Sequence, residues 1–339
     1  MKYPYDMVCT YYELISKCFP DTDNKQKYIH YTSQESFFAM FKDYVEQIDE
    51  ETLNIDKPKF VCLFASQMQY LNDKQEYKEG LEIIKNSGVD TSQLFESIFV
   101  TCFCGKEDLL SQWKYYGKNC GIAIEFDFNE STRLCWYTEV KDKMPQTPSL
   151  IYWANVKPHN VFYKNHGQHF EKIKSIVNNN VFKDTADKEA ANIFIPFCKN
   201  GNFIEEKESR IVFYPLRSEA DKDQYFYTPM EYRVSNGKII PQFKCKISLA
   251  DENSKRKIPV KSIMVGPGNN QRLVFNSIIN MLERGKENIK FFSDDELDKI
   301  LKEQTKLMKS NNLGLHNGRI TYRTKDKILI SMSNIPFRD

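Results

Sequence analysis

The sequence predicts an α+β protein with a mixed, mostly antiparallel sheet core flanked by helices. Three observations carry this. Short runs rich in β-branched and aromatic residues recur, such as SIFVTCFC at Ser97–Cys104 and IAIEFDF at Ile122–Phe128. Helical apolar spacing occurs between them, as at SQESFFAMFKDYVEQI from Ser33 and QRLVFNSIINML from Gln271. The two kinds of segment mix without strict strand–helix–strand alternation, which favours α+β over a parallel doubly wound sheet.

Taken in order, Met7–Phe19 reads as a helix ended by Pro20. Lys27–Thr32 reads as a strand, and Ser33 caps the helix after it. Phe60–Phe64 is a buried strand. Asn72-Asp73 is the right chemistry to cap a charged helix from Lys74 to Lys85. Glu107–Tyr116 reads as a helix with Leu109, Leu110, Trp113 and Tyr116 on one stripe, closed by Gly117. Residues 129–150 read as loop, Leu150–Val156 and Val161–Tyr163 as strands, and Phe170–Cys198 as mostly helical. Strands follow at Glu231–Val234, Lys238–Leu249 and Ile258–Val265. Gly266-Pro267-Gly268 then makes a turn that could offer backbone N–H groups to phosphate. Residues 285–325 are charged and contain a helix near Ser293–Lys309; Lys327–Met332 is the last strand.

Length and charge narrow the function. A chain of 339 residues can bury a large core. We expect a single elaborated domain over 1–339 with a charged insertion at 285–325. The net charge of +2 argues against a protein that wraps duplex nucleic acid. No window approaches the ~20 apolar residues of a membrane span, and the first residues lack the apolar core of a secretory signal. Nine scattered cysteines read as free thiols in a reducing cytoplasm. Cys102-x-Cys104 lacks the second pair a zinc site needs, so no metal is expected.

The most informative stretch is FIEEKESRIVFY, Phe203–Tyr214. Read as extended chain, Glu206, Glu208 and Arg210 share one face. Arg210 could hold one carboxylate and leave the other for chemistry. A solvated charge ladder on an edge strand is the plain alternative.

Several pieces, in order, resemble the bacterial family known as domain of unknown function 2971. They are Ile29–Ser33; Leu71-Asn72-Asp73 with Glu76; Leu110–Trp113 with Tyr116-Gly117 and Gly121–Asp127; Glu206–Arg210; Ile263–Gly266; and Ser333–Arg338. The charged insertion departs from the family pattern, as does Phe203 where a Trp often stands. A more distant similarity is to ADP-ribosyltransferase-like enzymes. It implies an ADP-ribosyltransferase-like fold acting on NAD as substrate. His30 and Thr32, with neighbouring Tyr31, would contact the nicotinamide ribose or amide. Tyr70 or Trp113 would stack on the nicotinamide, with Asn72 and Asp73 nearby. Glu208 would be the catalytic carboxylate and Glu206 would position the acceptor. Arg210 or Arg338 would meet the pyrophosphate. A carboxylate beside an oxocarbenium-like sugar suits that chemistry.

The resemblance thus implies a cytoplasmic toxin or anti-phage defence effector that transfers ADP-ribose to a macromolecular acceptor, protein or nucleic acid. A partner or antitoxin protein could act at the insertion. The alternatives are an NAD glycohydrolase and a non-catalytic nucleotide- or nucleic-acid-binding sensor. In the sensor reading Glu208 and Arg210 form a structural pair.

Overall fold

The computed structural model describes residues 26–49, 59–71, 75–86, 98–116, 120–141, 150–154, 157–163, 194–213, 217–221, 224–227, 230–235, 237–249, 258–283, 291–306 and 312–336. The expected helix at Met7–Phe19 and most of that at Phe170–Cys198 fall outside them. The fold is mixed α and β with mostly antiparallel pairing. The chain groups into two compact units. Each is assembled from three separated segments, the first from 1–26, 63–105 and 133–246, the second from 27–62, 106–132 and 247–339.

The first unit is built around a ten-stranded sheet. Strand Phe99–Phe103 pairs antiparallel with Ser209–Phe213, placing Arg210 opposite Cys102 and Val212 opposite Val100. All five residues of Ser209–Phe213 are buried. A strand buried on both faces reads as a continuous apolar run, here Ile211-Val212-Phe213, and its two polar residues need internal partners. Thr132–Lys141 is a ten-residue strand, not the loop read from sequence. It pairs with Leu150–Ala154 and Gln224–Tyr227. Helix Gln75–Asn86 packs on the short 3-10 turn Ile195–Phe197. A side chain on Gly80 would meet the Ile195 carbonyl at 2.8 Å, so glycine lets the helix backbone close on that turn.

The second unit holds a six-stranded sheet in the order Tyr28–Thr32, Ile122–Phe126, Val260–Val265, Leu329–Met332, Arg319–Arg323, Leu313–His316. Val260–Val265 and Leu329–Met332 run parallel; the other neighbours are antiparallel. Helix Gln34–Asp49 starts as the sequence predicts: Ser36 N–H donates to Ser33 Oγ at 3.2 Å. Helix Gln271–Glu283 packs on the two parallel strands.

The described residues of 285–325 contribute a helix and two strands to the second unit. Helix Asp294–Glu303 has a full capping box from Ser293 and Glu296 and buries Leu297 completely. Two strands follow, joined through Asn317-Gly318 with φ of 51° and 74°. Their residues Ile320, Thr321 and Tyr322 are buried. A positive φ at both central residues is the two-residue hairpin that Asn-Gly favours. Within the expected insertion, the described strands Leu313–His316 and Arg319–Arg323 form one edge of the six-stranded sheet, and Leu297, Ile320 and Tyr322 are buried.

Candidate functional site

In the first unit, Glu206, Glu208 and Arg210 come together, though not as one extended face. Gly201–Glu206 is a 3-10 helix, and Lys207 takes a left-handed conformation with φ of 46°. The strand begins only at Ser209. The turn is pinned from outside. Gly105 N–H and the Cys104 thiol donate to the Glu206 carbonyl at 2.8 and 2.9 Å. Glu208 N–H donates to Tyr163 Oη at 2.7 Å, and Val161 N–H to the Glu208 carbonyl at 3.0 Å.

Arg210 is fully buried, with 0% exposure, and its donors are spent internally. Nε donates to Glu208 Oε1 at 2.5 Å, Nη2 to Glu76 Oε2 at 2.5 Å, and Nη1 to the Pro196 carbonyl at 2.8 Å. The guanidinium, read from the resemblance as a contact to pyrophosphate, is held here by two carboxylates and a backbone carbonyl. Lys199 completes the cluster. Its ammonium contacts Glu208 Oε2 directly and lies 3.2 Å from Glu76 Oε1 and 2.8 Å from Glu206 Oε2. The ring of Phe203 covers it, 5.1 Å from Nζ to the centroid.

Three carboxylates against two cations leave the fully ionised cluster at −1. The excess falls unevenly. Burial alone would push the Glu208 carboxyl up, but the charges of Arg210 and Lys199 reverse this and hold it at about 2. Burial also pushes the Glu206 carboxyl up. Lys199 opposes this only in part, and the nearby negative charges of Glu208 and Glu76 add to it. Burial works against the charged form of Lys199, yet Glu208 and Glu76 keep it protonated. The Cys102 thiol is raised by burial and then by Glu208, and so serves as a donor rather than a thiolate.

Tyr70 ends a 3-10 turn of the first unit at 41% exposure. His30, Tyr31, Thr32 and Trp113 belong to the second unit. Asn72, Asp73 and Arg338 lie outside the described residues. Tyr31 is buried: its hydroxyl donates to the Lys106 carbonyl and accepts from Leu109 N–H, both at 3.2 Å. Its ring meets Trp113 edge-on at 4.8 Å. Trp113 is 3% exposed, and a side chain on Gly266 would reach its ring at 2.7 Å. The Trp113 ring, read from the resemblance as a possible stacking platform, is covered by Tyr31 and by the Gly266 backbone. Gly266 and Gly268 serve close packing, against Trp113 and Cys120 respectively.

Sequence reasoning missed two groups. Lys199 sits in a strand of only two residues, Cys198–Lys199, after an apolar run, and no spacing rule marks it. Asp108, at φ 58°, gathers the Trp113 Nε1 donor at 2.9 Å, Ser333 Oγ at 2.5 Å and Arg319 Nη2 at 3.0 Å. It thus ties together two of the motifs read from sequence, about Trp113 and about Ser333. The second unit also holds a pocket of about 560 Å³ between the helices Gln34–Asp49 and Gln271–Glu283. Phe37, Phe38, Leu273, Val274, Cys120 and Asn270 are among its lining residues, and none of the predicted site residues lines it.

Residues 112–211 match the model of a family described as a protein of unknown function, DUF2971. The match takes in Trp113 and the whole Glu206–Arg210 turn. No curated protein and no solved structure matches the chain.

Proposed function

We propose that the Glu206–Glu208 cluster is the catalytic centre of an enzyme cleaving the N-glycosidic bond of NAD, with ADP-ribose transferred to a macromolecular acceptor. The observation that supports it is the pair of carboxylates meeting across Lys199 with opposite protonation tendencies. Two carboxyl groups driven apart by their surroundings are the usual division of labour in glycosyl transfer. We assign the two roles the other way round from those the resemblance implies. Glu208 is fixed by two cations and is the anchor. Glu206 has a single cation partner and a raised proton affinity, which suits it to take a proton from the acceptor.

In this reaction the bond from the ribose carbon to the nicotinamide nitrogen breaks, and its electron pair neutralises the pyridinium. The acceptor's oxygen or nitrogen bonds to that carbon, and its proton passes to Glu206. Hydrolysis is the same step with water as acceptor. An ADP-ribosyltransferase-like fold, a cytoplasmic site of action and a toxin or defence role belong to the same proposal and rest on the sequence resemblance.

A second reading has its own observation: Arg210 at 0% exposure, with each of its three nitrogens donating inside the cluster, is what a structural ion centre looks like. Incubation with NAD labelled in the adenosine half, with and without cell lysate, decides between them. Nicotinamide release with label on a macromolecule supports transfer, and release alone supports hydrolysis. Glu206→Gln should lower turnover by at least ~10²-fold at unchanged melting temperature. No release by the folded wild-type protein, or full turnover by Glu206→Gln, leaves the structural reading standing.

A further inference from the structure

The strand Glu231–Ser235 of the first unit is hydrogen-bonded on one side to Lys238–Leu249, with Tyr232 opposite Pro241 and Val234 opposite Ile239. Among the described strands it has no second neighbour. The hairpin shows an unusual face. Met230, Tyr232, Val234 and Ile239 are 38%, 63%, 77% and 65% exposed. Tyr232 and Val234 project from the same side of the strand, and cross-strand pairing adds Ile239 to that side. The opposite side carries Arg233, whose Nη2 donates to Ser66 at 3.2 Å, and buried Ile240. An open edge bearing aromatic and β-branched residues is a template for another strand, and soluble proteins normally blunt such edges with charge, proline or a bulge.

The sequence of this edge says which strand fits. A two-fold axis perpendicular to the sheet pairs strand residues antiparallel and keeps each face on its own side. Only registers that pair positions of equal parity satisfy it. Centring on Glu231 sets two carboxylates opposite each other, and centring on Arg233 sets two guanidinium groups opposite. Centring on Val234 pairs Arg233 with Ser235, without charge complement. Centring on Tyr232 sets tyrosine on tyrosine, pairs Met230 with Val234 twice, and pairs Glu231 with Arg233 twice. It alone makes every direct charge pair attractive.

We propose that this edge is a self-association surface, on which a second copy of the chain adds its own Glu231–Ser235 antiparallel in the register centred on Tyr232. A five-residue edge buries little area, so the dimer is weak and its population rises with concentration. The surface is independent of the Glu206–Glu208 cluster, and its test does not involve NAD.

The test is a charge-swap series followed by sedimentation equilibrium and light scattering, from micromolar to submillimolar protein. The wild-type chain should shift from monomer to dimer over this range. Glu231→Arg alone and Arg233→Glu alone should each weaken association by roughly tenfold or more. An equimolar mixture of these two variants should associate again, because each cross-strand pair is then opposite in sign. Val234→Lys, at a side chain the fold leaves in solvent, should also abolish the dimer without lowering the melting temperature. A wild-type chain that stays monomeric throughout overturns the proposal. So does a dimer indifferent to all three substitutions, or a mixture that fails to recover association while both variants remain folded.

Discussion

At the scale of single residues, the Glu76–Arg210–Glu208–Lys199–Glu206 cluster sets a sharp contrast between two neighbouring glutamates. Glu208→Gln removes the carboxylate on which Arg210 Nε and Lys199 Nζ both converge, leaving two buried cations short of a partner. It should cost roughly 3–5 kcal/mol at neutral pH. Glu206→Gln removes a carboxylate whose ionisation burial opposes, and should be neutral or stabilising there. The signs follow from linkage. Glu208 is held at about 2, below the unfolded value of roughly 4.3. Its stabilisation is therefore present above that unfolded value and is lost as pH falls towards 2. The folded-state pKa of Glu206 is raised, so its ionisation costs stability as pH climbs past the unfolded value. Denaturant melts of wild type and both variants between pH 3 and 8 check this. Equal destabilisation by the two substitutions would sink the division of roles.

At the scale of elements, the hairpin Leu313–His316 and Arg319–Arg323 shows how a charged stretch can belong to a core. Its alternation sends Ile320 and Tyr322 inward, at 4% and 1% exposure, beside the strand Leu329–Met332. Deleting 312–323 should therefore unfold the second unit rather than trim its surface, with loss of the cooperative transition in circular dichroism. Gly318→Val is the milder version. A β-branched residue at φ 74° should cost about 1–2 kcal/mol, and thermal melting reads it directly. A deletion that melts like wild type would support the insertion reading. Helix Asp294–Glu303 carries the same lesson, since its one fully buried side chain, Leu297, sits among surface charges.

At the scale of the whole molecule, each unit is interleaved in sequence with the other. The six-stranded sheet takes Tyr28–Thr32 from one segment, Ile122–Phe126 from a second and three further strands plus Val260–Val265 from a third. Val260–Val265 hydrogen-bonds both Ile122–Phe126 and Leu329–Met332. A chain ending at residue 250 thus strips the sheet of its centre and leaves the apolar edge of Ile122–Phe126 unpaired. Limited proteolysis of that truncation should cut within Tyr28–Thr32 and Ile122–Phe126, both protected in the full chain. Resistance equal to the full chain would show that the sheet tolerates the loss. Among the described residues no helix is long and apolar enough to cross a membrane.

The sequence by itself determined the local elements: the capped start at Ser33, the strand Lys238–Leu249, the helix from Gln271, and the closeness of Glu208 to Arg210 two residues on. These rest on periodicity and capping, which act within a few residues. It also held a signal left unread, since Asn317-Gly318 between alternating residues is a hairpin turn. Only tertiary structure decided the rest. It turned Glu206 out of the strand through a left-handed Lys207, brought Glu76 onto Arg210, and brought Lys199 onto all three carboxylates. It also closed Gly266 over Trp113. Contacts such as Glu76 with Arg210, 134 residues apart, are fixed by which surfaces bury one another. No spacing along the chain encodes that choice, because the energy that selects it is the desolvation of the assembled cluster.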